Sequence, residues 1–220
     1  MTKNIYFSSF VDLDNVGTKP KIISRGSEHC YRYSLTIPFK HRSRGPTAVV
    51  IMKNPSKAGN IEEDSKKMLS DDTVYKVCDY IYKHRDNFSR LIILNLFPIY
   101  GSTFKNIVFN STNELIGSKL EYSRNNVVIS EVIASLTTNG DRIILAWGGY
   151  PNLSKSKKVS KTRKKQVIEL YKRRIKEVLN IIADRPTYKV GEGLTDGKFP
   201  QHGKMWYDFD PLQRFSHPDL

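Results

Sequence analysis

Val49-Val50-Ile51-Met52-Lys53-Asn54-Pro55-Ser56 is the stretch that decides the fold. Its first half is an apolar run, which predicts a buried strand that ends abruptly in Asn-Pro-Ser. Pro55 fixes its own φ and pushes Asn54 into an extended conformation, so the backbone aims the Asn side chain. An Asn held in this way can position a water or a polar group of a ligand. An ordinary strand-exit turn is the alternative, because Asn, Pro and Ser are common turn formers.

Two further apolar runs predict neighbouring strands. Residues 91–97 are continuously apolar apart from Asn95, which is typical of a central strand covered on both faces, and Pro98 closes the run. Residues 142–149 form a third short apolar run, which ends in the pair Gly148-Gly149. The pattern also predicts a half-buried strand over 31–37, a basic loop over 41–46 and a last strand near 188–194.

Helical spacing of apolar residues falls between these strands. It predicts helices over 73–83, 113–118 and 125–136, with Asp71 or Asp72 as the cap of the first. The alternation of strands and helices predicts one α/β domain over residues 1–220. We expect a three-layer sandwich with a mostly parallel central sheet.

Composition restricts the partners. The 220 residues are 39% hydrophobic and 11% aromatic, enough for a globular core. Lys plus Arg total 36 against 22 acidic residues, and this net charge of +14 favours a polyanion, nucleic acid before membrane; solubility alone is the alternative. We expect no membrane span and no signal peptide. Cys30 and Cys78 are too few for a disulfide framework or a metal cluster, so we expect a cytoplasmic protein without metal or cofactor.

The positive charge is concentrated in residues 154–176, a basic loop followed by an amphipathic helix. One helix face should pack on the domain while the cations point outward, either to contact phosphate or as a solvated charged face. The residues predicted to bind nucleic acid are Lys155, Lys157, Lys158, Lys161, Arg163, Lys164 and Lys165; Lys172, Arg173, Arg174 and Lys176 follow them.

Candidate site residues lie at the ends of the predicted strands. Ligands of parallel α/β sheets bind at the carboxyl ends of the strands. Those ends carry Asn54, Asn95 and Gly148-Gly149, and His202 lies in a later glycine-rich loop. We therefore expect these residues to share one site.

Six spaced motifs occur in order along the chain: Tyr31-Arg32-Tyr33-Ser34-Leu35, Ile51-Met52-Lys53-Asn54-Pro55-Ser56, Asp71-Asp72-Thr73, Asn95-Leu96-Phe97-Pro98, Ala146-Trp147-Gly148 and residues 197–202. The series resembles an uncharacterised bacterial and phage family, domain of unknown function 1643, from about Tyr31 to about Tyr207. A weaker likeness extends to the uracil-DNA glycosylase superfamily, which implies that fold.

The superfamily likeness also implies roles for individual residues. Asn54-Pro55-Ser56 resembles the motif that handles the attacking water, Asn95 matches the Asn that reads a flipped base, and His202 falls where a histidine stabilises the leaving base. His202 is followed by Gly203, where the superfamily has proline, which puts a rigid intercalating loop in doubt. The His217-Pro218 pair lies at the chain end, where we expect a disordered tail.

The sequence signal for the remaining candidate site residues is less specific. Because Asn is a poor base, the loop predicts slow chemistry, a helper carboxylate or no chemistry. Asp72 is the candidate helper, and Asp64 and Asp71 are the alternatives. Phe97, Trp147 and Tyr100 are candidates to stack on a base, although core packing explains such rings equally well. Lys53 is a candidate for phosphate contact or for an imine in a lyase reaction, with snorkelling to the surface as the preferred explanation.

The leading prediction is a DNA glycosylase that removes a modified or damaged base in phage defence or repair. Asn54, His202 and Asp72 would act in catalysis, and the substrate would contact Pro55, Ser56, Asn95, Phe97, Trp147 and Gly148. We expect a monomer that binds DNA, either as a duplex with a flipped base or as a single strand. The alternatives are a non-catalytic nucleic-acid-binding protein and a nucleotide- or nucleoside-binding protein of the same fold.

Overall fold

Seven strands form one sheet in the computed structural model, which describes residues 4–20, 31–56, 58–62, 65, 67–101, 119–137, 139–151, 160–183 and 185–218. The strands are β1 (Gly17–Lys19), β2 (Ser34–Pro38), β3 (Thr47–Met52), β4 (Arg90–Asn95), β5 (Arg142–Leu145), β6 (Thr187–Val190) and β7 (Leu212–Arg214). The helices of the described residues are α1 (Asp72–Lys83), α2 (Lys119–Ala134) and α3 (Lys161–Ile181), with short 3-10 turns at Leu13–Asn15 and Gly203–Met205.

The sheet is mixed, so the prediction of a mostly parallel sheet was wrong. Its order is β1-β2-β4-β3-β5-β6-β7. The pairs β3–β4, β3–β5 and β5–β6 are parallel, whereas β1–β2, β2–β4 and β6–β7 are antiparallel. The edge strands β1 and β7 have three residues each, too few for a periodic pattern to predict them.

The four parallel strands lie at the centre and are covered on both faces, which confirms the α/β class. All six residues of β3 are buried. Val49 and Ile51 belong to a cluster with the buried residues of α2 and α3, while Ala48, Val50 and Met52 belong to a second cluster with those of α1. Alternate side chains of a strand point to opposite faces, so helices on both sides require a strand without polar positions.

Helix α1 begins where the sequence predicts. Asp71 is its N-cap and accepts hydrogen bonds from the backbone N–H groups of Thr73 and Val74. Its buried residues include Val74, Val77, Cys78 and Ile81, which recur at helical spacing. Helix α2 covers most of the predicted 125–136 and begins earlier, and the predicted helix over 113–118 lies outside the described residues. None of the described helices has both the length and the apolar character needed to cross a membrane.

Helix α3 is amphipathic, as predicted, and Ser160 caps it. One of its predicted outward cations is buried instead. Arg174 donates to the carbonyl of Leu96 at 3.0 Å and to Oδ1 of Asn126 at 3.0 Å, and it pairs with Glu177. Arg174 therefore attaches α3 to the end of β4 and is not a phosphate contact.

Candidate functional site

The order of the parallel strands reverses between β3 and β5. From β3 the chain passes to β4 on one side and later to β5 on the other side. A crevice at the carboxyl ends of the strands forms at such a reversal, and it is the usual ligand site of open α/β sheets. Here Lys53 follows β3, and its Nζ donates to the carbonyl of Gly149, which follows β5, at 3.0 Å.

The Asn-Pro-Ser loop is held on both sides. Nδ2 of Asn54 donates to the carbonyls of Gly101 at 2.7 Å and Pro55 at 3.2 Å. Both amide hydrogens are thus committed, and the orientation leaves Oδ1 to accept a hydrogen bond from a water or a ligand. Ser56 donates to Asp71, the N-cap of α1, so the loop is attached to that helix.

Asn95 is the most unusual polar residue of the site. It is 0% exposed, and neither Oδ1 nor Nδ2 of its side chain has a hydrogen-bond partner among the described residues. Its register partner is Met52, two residues before Asn54. An unpaired buried amide costs about 1–3 kcal/mol, so its presence needs a reason such as a ligand.

His202 packs against the glycine pair. A Cβ added to Gly148, whose φ is +69°, would lie 3.1 Å from Cβ of His202. Nδ1 of His202 accepts from the backbone N–H of Lys204 at 3.2 Å, so the neutral ring carries its proton on Nε2. Burial, followed by the positive charge of Lys53, lowers the pKa of His202 to about 4. The imidazole is therefore neutral at pH 7 and presents an N–H donor.

Lys53 is turned inward. Besides its bond to Gly149, its Nζ lies 5.2 Å from the ring centroid of Tyr171. Burial lowers the pKa of Lys53 to about 8, and the nearby Asp196 partly opposes this shift. Snorkelling to the surface is thus the wrong explanation for Lys53, and the structure does not place it as an outward phosphate contact.

Two of the three aromatic candidates, Phe97 and Trp147, are part of the core, whereas Tyr100 is half-buried. Phe97 and Trp147 are both 0% exposed, and the ring of Phe97 stacks on that of Tyr171 with centroids 6.2 Å apart. Since both rings are fully buried, neither presents an open face for base stacking. The ring of His217 lies 5.8 Å from that of Trp147, so His217 is packed and not part of a disordered tail.

The carboxylate beside the Asn-Pro-Ser loop is Asp71. Asp72 is exposed at the first residue of α1, whereas Asp71 contacts Ser56 and acts electrostatically on His202. The local cap pattern allowed either residue, and only the tertiary contact distinguishes them. Asp64 lies outside the described residues, as do Lys155, Lys157 and Lys158.

Three residues of the site were missed by sequence reasoning. The hydroxyl of Tyr171 donates to the carbonyl of Gly148 at 2.9 Å. Asp196 accepts from the backbone N–H of Tyr150 at 3.2 Å, and a Cβ on Gly149 would lie 2.3 Å from its Oδ2. Arg32, 1% exposed, donates to the carbonyl of Ala58 just beyond the Asn-Pro-Ser loop. The glycine pair signalled a close approach, but nothing local identified what approaches.

The basic helix begins at the same edge of the sheet as the site. Helix α3 follows the carboxyl end of β5 and returns to the amino end of β6, so its first turns lie near the crevice. Lys161 and Lys165 are exposed on these turns, and Lys164 and Arg163 are half-buried.

No curated protein and no solved structure matches the chain. One family model does match, over residues 32–202, and it spans the strands and loops that supply Asn54, Asn95, Gly148 and His202. The chain therefore belongs to the family described as protein of unknown function, DUF1643.

Proposed function

We propose that the protein is a DNA glycosylase that hydrolyses the N-glycosidic bond of a modified or damaged base flipped out of DNA. The observation that carries the proposal is the Asn95 amide, which is fully buried with its donor and acceptor both unpaired among the described residues. The edge of a nucleobase offers a neighbouring acceptor and donor, which one carboxamide can pair with at the same time. A flipped base would satisfy the amide that the described residues leave unpaired.

The likeness to the uracil-DNA glycosylase superfamily supports the same proposal. In this view the helices on both faces of the parallel strands are the outer layers of a three-layer sandwich. The superfamily motifs fall on loops at one edge of the sheet: Asn54 follows β3, Asn95 ends β4, and His202 packs on Gly148 beyond β5.

The chemistry assigns one task to each polar group. Cleavage needs a positioned water and stabilisation of the departing base anion. Oδ1 of Asn54 would accept a hydrogen bond from the water, because the Nδ2 donors are committed to Gly101 and Pro55. The neutral His202 would donate its Nε2–H to the departing base without becoming charged.

The charge of the chain suits a DNA substrate. The formal net charge is +14, and the exposed Lys161 and Lys165 lie near the crevice at the start of α3. Cations at the rim of a base pocket would hold the phosphates on either side of the flipped nucleotide.

Base release from defined duplexes tests the proposal. Duplexes with uracil, a mismatch or a phage-modified base would be incubated with the protein and then treated with alkali, which cleaves at abasic sites. We expect cleavage at the position of one such base, and His202→Ala should slow it about 100-fold, the cost of removing a transition-state donor. Lys40→Gln, at an exposed position outside the site, is the control. Absence of abasic sites on every substrate would overturn the proposal.

A non-catalytic nucleic-acid-binding protein is a second candidate, and one observation favours it. Both oxygens of Asp71 are engaged, one by the backbone N–H groups of Thr73 and Val74 and the other by Ser56. The carboxylate that contacts the Asn-Pro-Ser loop is therefore committed to structure and is not placed as a base. Tight DNA binding that survives substitution of Asn54 and His202, without abasic sites, would favour this candidate.

A further inference from the structure

Lys53 lies where the two strands that flank the sheet reversal end. Its Nζ donates to the carbonyl of Gly149 at 3.0 Å and lies 5.2 Å from the ring centroid of Tyr171. It is next to Asn54 in the chain, and its charge acts on His202. The amine thus acts on the proposed leaving-group donor and lies at the same edge of the sheet as the proposed water holder.

The buried surroundings of Lys53 make its amine a better nucleophile at neutral pH. Burial lowers the pKa of Lys53 to about 8. At pH 7 an amine with that pKa is neutral in about one molecule in ten, against about one in several thousand at the ordinary value. Only the neutral form is a nucleophile, and desolvated lysines are the ones that form imines with carbonyl compounds. A neutral amine can keep one N–H on the Gly149 carbonyl and still carry a lone pair.

We propose that Lys53 gives the protein a second activity, cleavage of the DNA strand at an abasic site through a covalent imine. This inference rests on the proposed function, because an abasic deoxyribose is the product of base release. The Lys53 amine would add to the C1′ aldehyde of the ring-opened sugar, and water would leave as the imine forms.

The imine then acts as an electron sink for strand cleavage. A proton leaves C2′ for solvent or for the Asp196 carboxylate, a C2′–C3′ double bond forms, and the C3′–O bond breaks with the phosphate as leaving group. Water hydrolyses the imine and returns the free amine. No redox reagent is needed, and every atom is accounted for by DNA, the lysine and water.

Reductive trapping tests this activity without the base-release step. A duplex that already carries an abasic site would be mixed with the protein and sodium borohydride, which reduces an imine to a stable amine. We expect a covalent protein–DNA complex, peptide mapping should place the adduct on Lys53, and without borohydride the strand should be cut 3′ to the abasic site. Because the mapping uses the unaltered protein, it requires no variant to fold.

Two variants sharpen the test. Lys53→Arg keeps the positive charge but cannot form the imine, and it should reduce trapping and cleavage to the level of DNA alone. Lys40→Arg, at an exposed lysine outside the site, is the matched control and should trap like the unaltered protein. No adduct, or an adduct on the terminal amine or on another lysine, would overturn the proposal. If base release occurs without trapping, only the lyase fails, and if trapping occurs without base release, only the glycosylase fails.

Discussion

Nζ of Lys53 lies 3.0 Å from the carbonyl oxygen of Gly149, so a hydrogen bond joins the two strand ends between which the order of the parallel sheet reverses. This contact determines the shape of the site. Gly149 has no room for a side chain because Oδ2 of Asp196 would lie 2.3 Å from its Cβ, and Gly148 accommodates His202 in the same way. The glycine pair therefore brings a cation, a carboxylate and an imidazole to one edge of the sheet.

Asn95→Leu should separate function from stability. Removing a buried amide that has no partner in the described part of the chain should raise the free energy of unfolding by about 1 kcal/mol, while base release or base binding is lost. Chemical denaturation and the alkaline cleavage assay measure the two effects. Asn125→Leu is the matched control, because Asn125 donates to the backbone carbonyl of Asn95 at 2.9 Å, and its loss should lower stability by about 1 kcal/mol. A large loss of stability in Asn95→Leu would contradict the prediction.

His202 should make the protein less stable in acid. Its pKa is about 4 in the folded chain against an ordinary 6.5, so between these values the unfolded chain binds a proton that the folded chain does not. The contribution of neutral His202 to the free energy of unfolding is complete above about pH 6.5 and is lost as the pH falls through about 4. His202→Gln should therefore weaken the fall in unfolding temperature between about pH 7 and pH 4. If the unfolding temperature falls equally with pH in His202→Gln and in the unaltered protein, the imidazole of His202 is not buried in its neutral form.

Gly148→Ala should displace His202. Its φ of +69° disfavours a side chain, and the new Cβ would lie 3.1 Å from Cβ of His202. Gly197→Ala is the matched control, because its φ is +70° but nothing lies within 4 Å of the added Cβ. Both variants should lose about 1 kcal/mol of stability through backbone strain, and only Gly148→Ala should also lose base release. If the two variants have equal activity, the contact between Gly148 and His202 does not matter for function.

The first turns of α3 should supply the salt dependence of DNA binding. Lys161 and Lys165 are exposed one helical turn apart at the edge that carries the site. Lys161→Gln with Lys165→Gln should reduce the slope of log affinity against log salt by up to about 0.9 per lost phosphate contact. Lys40→Gln with Arg44→Gln removes the same charge near the amino end of β3, and its slope should stay unchanged. If both double variants reduce the salt slope equally, DNA binding depends on the net charge of the protein and not on a defined face.

The central strands and the first helix could be predicted because their causes are local. The runs over 48–52 and 91–94 contain no polar residue, which is what burial on two faces requires. Asp71 followed by apolar residues at helical spacing is enough to begin α1. The same local patterns placed Asn54 and Asn95 at strand ends and thus at one edge of the sheet.

The sequence by itself therefore determined the α/β class, the parallel centre of the sheet and the loops that could hold a site. Tertiary structure alone decided the antiparallel edge strands, the inward turn of Lys53 towards Gly149, the choice of Asp71 over Asp72, and the burial of Trp147. The physical reason is that periodicity along the chain records which face of an element is buried, whereas the direction of a polar side chain depends on partners distant in sequence. Lys53 and Gly149 are such partners, and no local pattern contains their contact.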